Sequence, residues 1–407
     1  MRLLITFAAL FLSVVLLQLG AGGVAPLDAL SGAALGFSKG EIGLMGSAHF
    51  LGFFIGCWWA PRLMGEVGHS RAFAAFVAAG TIGILAHMLV IEPLAWSVMR
   101  MASGLCTAGC YTIIEAWMQA KVTNETRGRA MGVYRVVDIT GSLGAQLIIG
   151  VLEPGSYVSY NLLALLLCAA LFPLTLTKAE PPETPEAPRL RPALAWARSP
   201  LAAVGVVVSG VTGAAFRMVG PMYGQEVGMA HDQIALYLAA YVVGGALAQY
   251  PVGWAADKFD RRHVLMVLSV LSVLACGAAI ALAGLGPWAN YLSVAAFGLT
   301  TMPIYSVSTA HAHDHATPME RVELSAAMMF LYAVGAIASP YLASVLIDGY
   351  GPGAMFAMIA LAHVGLVVFG LVRMNVRPAP VARTAYTDEP RTSFQIGRLL
   401  GWLRDRG

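Results

Sequence analysis

The sequence predicts an all-α membrane protein with twelve transmembrane helices in two pseudo-symmetric six-helix bundles. Three observations predict it. The 407-residue chain carries twelve apolar stretches, each near the roughly 20 residues that a helix needs to cross a bilayer. All but four of its 25 Lys and Arg residues fall in segments that such a topology places on one side. The exceptions are Lys39, on the opposite side, and Arg100, Arg135 and Arg217, inside spans. This is the positive-inside bias sustained over a whole polytopic chain, and it sets both termini in the cytoplasm. Third, residue patterns of the first half recur in order in the second.

Composition agrees. With 58% hydrophobic and 12% charged residues and a mean hydropathy of +0.71, the chain has more apolar surface than one soluble core can hide. Its net charge of +3 sits in loops and reports orientation, so no nucleic-acid partner is expected. Cys57, Cys106, Cys110, Cys168 and Cys276 all lie in spans, as buried small apolar residues without a disulfide framework.

The spans follow in order. Arg2 precedes the apolar run 3–25, which also suits a signal peptide ending at Ala21-Gly22-Gly23. Cleavage there would leave an odd number of spans and invert the charge bias, so the run reads as the first helix. Glu41 opens the second span, 41–60, and 72–91 and 94–118 follow; Gly104 and Ala108 in the fourth allow close helix contact. Spans five and six are 130–152 and 158–177. Residues 178–199, starting Lys-Ala-Glu-Pro-Pro-Glu, are too polar and proline-rich to span or to pack a core, and read as a cytoplasmic linker. The second six spans are 200–221, 233–255, 264–285, 289–310, 324–347 and 353–374. This divides the chain into bundles 1–177 and 200–375, the linker, and a cytoplasmic tail, 376–407. Ile396, Leu399, Leu400 and Leu403 give that tail either a short amphipathic helix or a disordered end.

The halves echo one another, as internal repeats do. Val24-Ala25-Pro26-Leu27 parallels Val219-Gly220-Pro221-Met222, Glu41-Ile42 parallels Gln233-Ile234, and Gly52 matches Gly244 at the same offset.

A family becomes visible after the eighth span. Gly253-Trp254-Ala255-Ala256-Asp257-Lys258-Phe259-Asp260-Arg261-Arg262 resembles the signature loop of the major facilitator superfamily, with Asp260 where the family usually has a second glycine. The first-half counterpart, 61–71, keeps Gly68 but has lost the aspartate. Arg100-Met101-Ala102-Ser103-Gly104 resembles the family's arginine-then-glycine pattern. Together with Gln249-Tyr250-Pro251, Met302-Pro303-Ile304-Tyr305 and the Tyr332 to Pro340 stretch, these motifs resemble the YcaD-like branch. The resemblance covers residues 3–375 and implies a secondary transporter of the bacterial inner membrane, with no particular cargo. It assigns Gly253, Asp257, Arg261 and Arg262 to a cytoplasmic gate. The glycine-proline pair of drug/proton antiporters is absent from 141–146.

Polar groups inside spans are the residues on which function falls, because lipid makes them costly. Arg100 is the first candidate for substrate contact, since a guanidinium in a cavity takes a carboxylate or phosphate bidentately; the alternative is a structural pair with Asp28. Arg217 either contacts substrate, faces Glu226 or snorkels. Tyr241, Gln249, Tyr305 and Tyr332 can hydrogen-bond or stack on a cargo, or simply pack. Asp138 and Asp28 are the proton-coupling candidates, with Arg135 placed to hold Asp138 ionised. Glu115 belongs to the gate region with Arg135 or a loop arginine as partner. His311, His313, Asp314 and His315 read as a polar helix end rather than a metal site.

Without a Walker A pattern or a catalytic motif, the chain is not an enzyme and needs no cofactor, and uphill movement must draw on an ion gradient, most simply protons. The expected partners are a small-molecule substrate and the bilayer, with the protein a monomer. The expected cargo is a small anionic or zwitterionic organic solute. Two alternatives stand beside it: a drug/proton efflux antiporter, and a facilitator-fold ligand sensor signalling through its tail.

Overall fold

The computed structural model describes residues 2–121, 127–176, 191–317 and 319–376. Helix covers most of each of the twelve predicted windows. The first half holds α1 (Arg2–Ala34), α2 (Lys39–Val67), α3 (His69–Ala86), α4 (Pro93–Lys121), α5 (Arg127–Ile149), α6 (Tyr157–Ala169) and α7 (Leu171–Thr175). The second holds α8 (Pro192–Arg198), α9 (Pro200–Glu226), α10 (His231–Lys258), α11 (Arg261–Ala281), α12 (Pro287–Thr301), α13 (Ile304–His313), α14 (Arg321–Tyr350) and α15 (Ala354–Val376). The architecture is all-α among the described residues.

Among the described residues nine helices are both long and apolar enough to cross a membrane by composition alone. The other three spans fall short for visible reasons. α4 carries Arg100 and Glu115, and α5 carries Arg135 and Asp138. The tenth span is broken in two, because Pro303 has no N–H to give and its ring crowds the carbonyl four residues back. Pro173 splits the sixth span at Ala170 in the same way. Pro26, Pro61, Pro221, Pro251 and Pro340 sit inside continuous helices, which membrane helices tolerate because neighbours re-satisfy the freed carbonyls. The paired prolines Pro26 and Pro221, predicted to follow the first and seventh spans, therefore lie within them.

The chain forms two compact units. Residues 38–47, which open α2, group with the second unit. There Lys39 Nζ lies 2.9 Å from Glu226 Oε1, and the Tyr341 N–H donates to Ser47 Oγ at 3.3 Å. The linker was predicted to pack no core, yet its last residues form α8, whose Leu194 and Ala195 are buried against Ala202, Val206 and Met328. Apolar residues at 194 and 195 outweigh the linker's polar average. The tail and its candidate amphipathic helix lie outside the described residues.

Within unit one, α1 packs along α5 and α6, and α3 along α4; within unit two, α9 packs along α14, α10 along α12, and α11 along α15. Glycine sets how close the helices come. A Cβ on Gly52 of α2 would overlap the Met101 carbonyl oxygen of α4, and one on Gly104 would overlap that of His49. In unit two, Gly244 of α10 meets the Ala295 carbonyl of α12, and Gly298 meets that of Tyr241. The echo between Gly52 and Gly244 is thus a repeated backbone contact. The five cysteines are free thiols, four of them buried.

Candidate functional site

In unit one, a charged cluster sits in the apolar interior. Asp28, within α1, is wholly buried, and Arg100 of α4 is 1% exposed. Arg100 Nε lies 3.2 Å from Asp28 Oδ2, and His87 Nε2 approaches the same oxygen to 3.6 Å. The Tyr160 hydroxyl of α6 donates to Asp28 Oδ1 at 2.8 Å. His87 Nδ1 stands 2.7 Å from the Gly83 carbonyl, which can only accept, so Nδ1 carries the hydrogen and Nε2 faces the carboxylate. Trp96 fixes this corner by donating Nε1–H to the His87 carbonyl at 2.8 Å, and the Tyr160 ring stacks on His87 with centroids 5.3 Å apart. On its other side, Arg100 Nη1 reaches Ser103 Oγ at 3.4 Å, and that hydroxyl lies 3.4 Å from His49 Nδ1. A cavity of about 10 Å³ touches Arg100, Ser103, Cys106 and Thr107, room for a single water.

A second cluster joins α1 to α5. Gln18 Nε2–H donates to Asp138 Oδ1 at 2.7 Å, while Arg135 Nη1 lies 3.6 Å from Asp138 Oδ2 on the same helix side, as the three-residue spacing predicts. Glu115, also buried, accepts from the Tyr134 hydroxyl at 3.0 Å.

Unit two holds Arg217 and the candidate tyrosines. Arg217 of α9 is exposed along its span, and no carboxylate among the described residues pairs with it; Glu226 is taken by Lys39. Tyr241 packs on Phe216 with ring centroids 4.3 Å apart, and Tyr305 meets Tyr332 edge to face at 5.4 Å. Gln249, about two helical turns beyond Tyr241, donates to the Gly245 carbonyl at 3.2 Å and keeps a buried Oε1 without a hydrogen-bond partner.

At the α10–α11 turn, Arg261 is 1% exposed and saturated. Nη1 bonds Asp314 Oδ1 at 2.7 Å and the Ala310 carbonyl at 3.0 Å, Nε bonds the Ala256 carbonyl at 3.2 Å, and Nη2 bonds Asp257 Oδ1 at 3.3 Å. Asp314 is therefore bound to an arginine, and His313 Nε2 lies 3.1 Å from Ser325 Oγ. Among the described residues no three His, Cys, Asp or Glu side chains converge as metal ligands. Asp260, which replaces the family's glycine, has extended backbone and serves as the N-cap of α11, its Oδ1 accepting from the Arg262 N–H at 2.9 Å. Gly68, kept in the first-half loop, has φ 86° at the N-cap of α3, where only glycine is unstrained.

Burial acts to raise the Asp260 pKa, but bonds from the Arg262 side chain and backbone prevail and hold it below its ordinary 3.8. A depressed folded pKa stabilises the fold above the ordinary value, and that contribution is lost as pH falls through the folded one. Asp260→Ala is expected to lower stability by about 1 kcal/mol at pH 7, and by less below pH 3.8. Melting curves at pH 7 and 3.5 check this; equal losses at both would refute a charged cap.

The sequence singled out Asp28, Arg100, Asp138, Arg135, Glu115 and Arg217 but not His87, Tyr160 or Gln18. The signal was available: each is a hydrogen-bonding side chain inside a predicted apolar span.

The Major Facilitator Superfamily profile matches residues 10–208 and again 201–404, one match per half. An MFS-type transporter of Enterobacter sp. (strain 638) is 25% identical over 347 residues, covering 84% of this chain and 89% of the relative. The YcaD transporter of Salmonella heidelberg (strain SL476) is 26% identical over 353 residues with the same coverage. Among solved structures, the nucleoside transporter NupG superposes with a TM-score of 0.74 at 16% identity, over 93% of this chain and all of that one.

Proposed function

The chain belongs to the major facilitator superfamily and is a membrane transporter of a small molecule rather than an enzyme; from that premise we propose that it carries an anionic or zwitterionic organic solute by proton-coupled alternating access. The observation that carries this reading is Arg217, an accessible guanidinium inside a span with no carboxylate partner among the described residues. Such a charge is expensive in lipid and points to a water-filled path and an anionic ligand. Tyr241, Tyr305 and Gln249 add hydrogen-bonding groups around a partly aromatic wall, which suits a cargo with both an acidic and an apolar part.

In this reading Asp28 accepts the proton. While ionised it occupies Arg100, and His87 and Tyr160 complete its surroundings. A proton on Asp28 would release the Arg100 guanidinium for a substrate anion, so the two ligands are linked through one residue. Asp138, held by Gln18 and Arg135, is the second proton candidate. Arg261, Asp257 and Arg262, with Gly253, act in gating. The protein resides as a monomer in a bacterial inner membrane with both termini cytoplasmic, the orientation that the Lys and Arg distribution favours.

Thermal stabilisation of the purified protein by a panel of small carboxylates and cationic amphiphiles, at two pH values, tests this. A ligand at 100 times its Kd adds about 2.7 kcal/mol. Carboxylates are expected to stabilise the wild type and not Arg217→Gln. Stabilisation of both proteins by cationic amphiphiles alone would replace this reading with drug efflux.

A further inference from the structure

Unit two holds another collection of basic residues, away from Arg217, where α9 begins and α15 ends. A cavity of about 30 Å³ is walled by Arg262, Arg373, His311, His315 and the Ser199–Leu201 start of α9. Every ionisable side chain on that wall is basic. Of the neighbouring carboxylates, Asp260 pairs with Arg262 of the wall itself, its Oδ2 accepting from Nε at 3.1 Å and from Nη2 at 2.7 Å, and Asp314 holds Arg261. Arg373, in the last turn of α15, has no counter-ion among the described residues.

His311 is the telling residue. It is 4% exposed, yet it lines the cavity and its ring nitrogens make no hydrogen bond to the described residues; its ring meets only that of His315, edge-on at 5.1 Å. A buried imidazole without a partner is costly unless something fills the space before it. The start of α9 adds to this. Ser199 caps the Ala202 N–H, and the Ala203 N–H bonds the Ser199 carbonyl, so with Pro200 having no N–H, the Leu201 N–H has no intrahelical partner. The positive end of a 27-residue helix is thus turned toward the cavity. Trp196, exposed on α8, packs on Phe369 at 6.0 Å at this end of the unit, as aromatic side chains do at headgroup depth.

We propose that this cavity binds a phosphoryl group, presented either by an anionic phospholipid or by a soluble phosphate. Two guanidinium forks, imidazole side chains and the start of a helix line one cavity. That is more than the two coplanar oxygens of a carboxylate take up, and it fits a tetrahedral, multiply charged oxyanion. The Asp260 grip holds Arg262 in place, while Arg373 supplies a charge with no counter-ion among the described residues.

Delipidated full-length protein in a neutral detergent is examined by native mass spectrometry with phosphatidylglycerol against phosphatidylcholine, and by calorimetry with inorganic phosphate. Wild type is expected to bind at least one phosphate source, more weakly at high salt. Arg373→Gln and His311→Gln are each expected to weaken that binding by about tenfold or more. Arg191→Gln, whose arginine pairs with Glu323 instead, is expected to leave it unchanged. Phosphatidylglycerol without inorganic phosphate identifies the lipid as the source; inorganic phosphate alone identifies the soluble ligand; both, lost together in the variants, support the site as well. Arg373 stands at a helix end, so an unchanged melting temperature in Arg373→Gln separates lost binding from lost folding. No binding by wild type, or equal binding by wild type and both variants, overturns the proposal.

Discussion

Asp28→Leu is expected to cost about 3–5 kcal/mol of stability, because it strands the buried Arg100 guanidinium without its counter-charge. It also removes the acceptor of the Tyr160 hydroxyl, and the site cannot relax toward water, since Asp28 and His87 are wholly buried and Arg100 is 1% exposed. Asp28→Asn keeps an acceptor for Tyr160 and deletes only the charge, so its smaller loss isolates the electrostatic part. The double variant Asp28→Leu with Arg100→Leu is expected to recover most of the deficit, as paired apolar replacement of a buried ion pair is often neutral or better. Thermal or denaturant unfolding in detergent measures all three. A loss below about 1 kcal/mol for Asp28→Leu would mean that the cluster is wet and the pair worth no more than one at a surface.

A comparable loss is expected from a far smaller chemical change. In Gly244→Val the new Cβ falls on the Ala295 carbonyl oxygen, which belongs to the rigid backbone of α12, so α10 and α12 must separate along their contact. Overpacking of this kind costs about 1–3 kcal/mol or more, and valine adds its poorer helix propensity. Gly104→Val is expected to do the same to α2 and α4 through the His49 carbonyl. The control is Gly277→Ala on α11, where a Cβ has nothing within 4 Å. Exchange of a helical glycine for alanine there is expected to gain about 0.5–1 kcal/mol. Melting temperatures and monodispersity on gel filtration report the contrast; a Gly244→Val protein as stable as wild type would show that the helix pair is not locked.

These expectations draw on features of unequal legibility. The spans could be read from the chain because a bilayer judges a helix by a running sum over some twenty neighbouring side chains. The costly residues within them, Asp28, Arg100, Asp138 and Arg217, were legible for the same reason, each being polar where its neighbours are not. Proline at 303 was equally visible, but its effect depends on whether surrounding helices hold the freed carbonyls. Five other prolines leave their helices unbroken, whereas Pro303 and Pro173 divide theirs.

Pairing belonged to another order of information. Tyr160 lies 132 positions from the Asp28 that it bonds, and Gln18 lies 120 from Asp138. No local pattern encodes such a separation. Likewise Asp28 had two prospective roles, and only the convergence of α1, α4, α6 and the end of α3 put Arg100, Tyr160 and His87 around it. The basic cavity of unit two, assembled from α9, α11, α13 and α15 and the turn after α13, was invisible for that reason: its members are scattered over 175 positions, from Ser199 to Arg373. Membrane insertion is thus written along the chain, since hydropathy sums over adjacent residues. Which charge meets which is decided only when helices distant in sequence pack, because the energy of a buried charge depends on its neighbours in space.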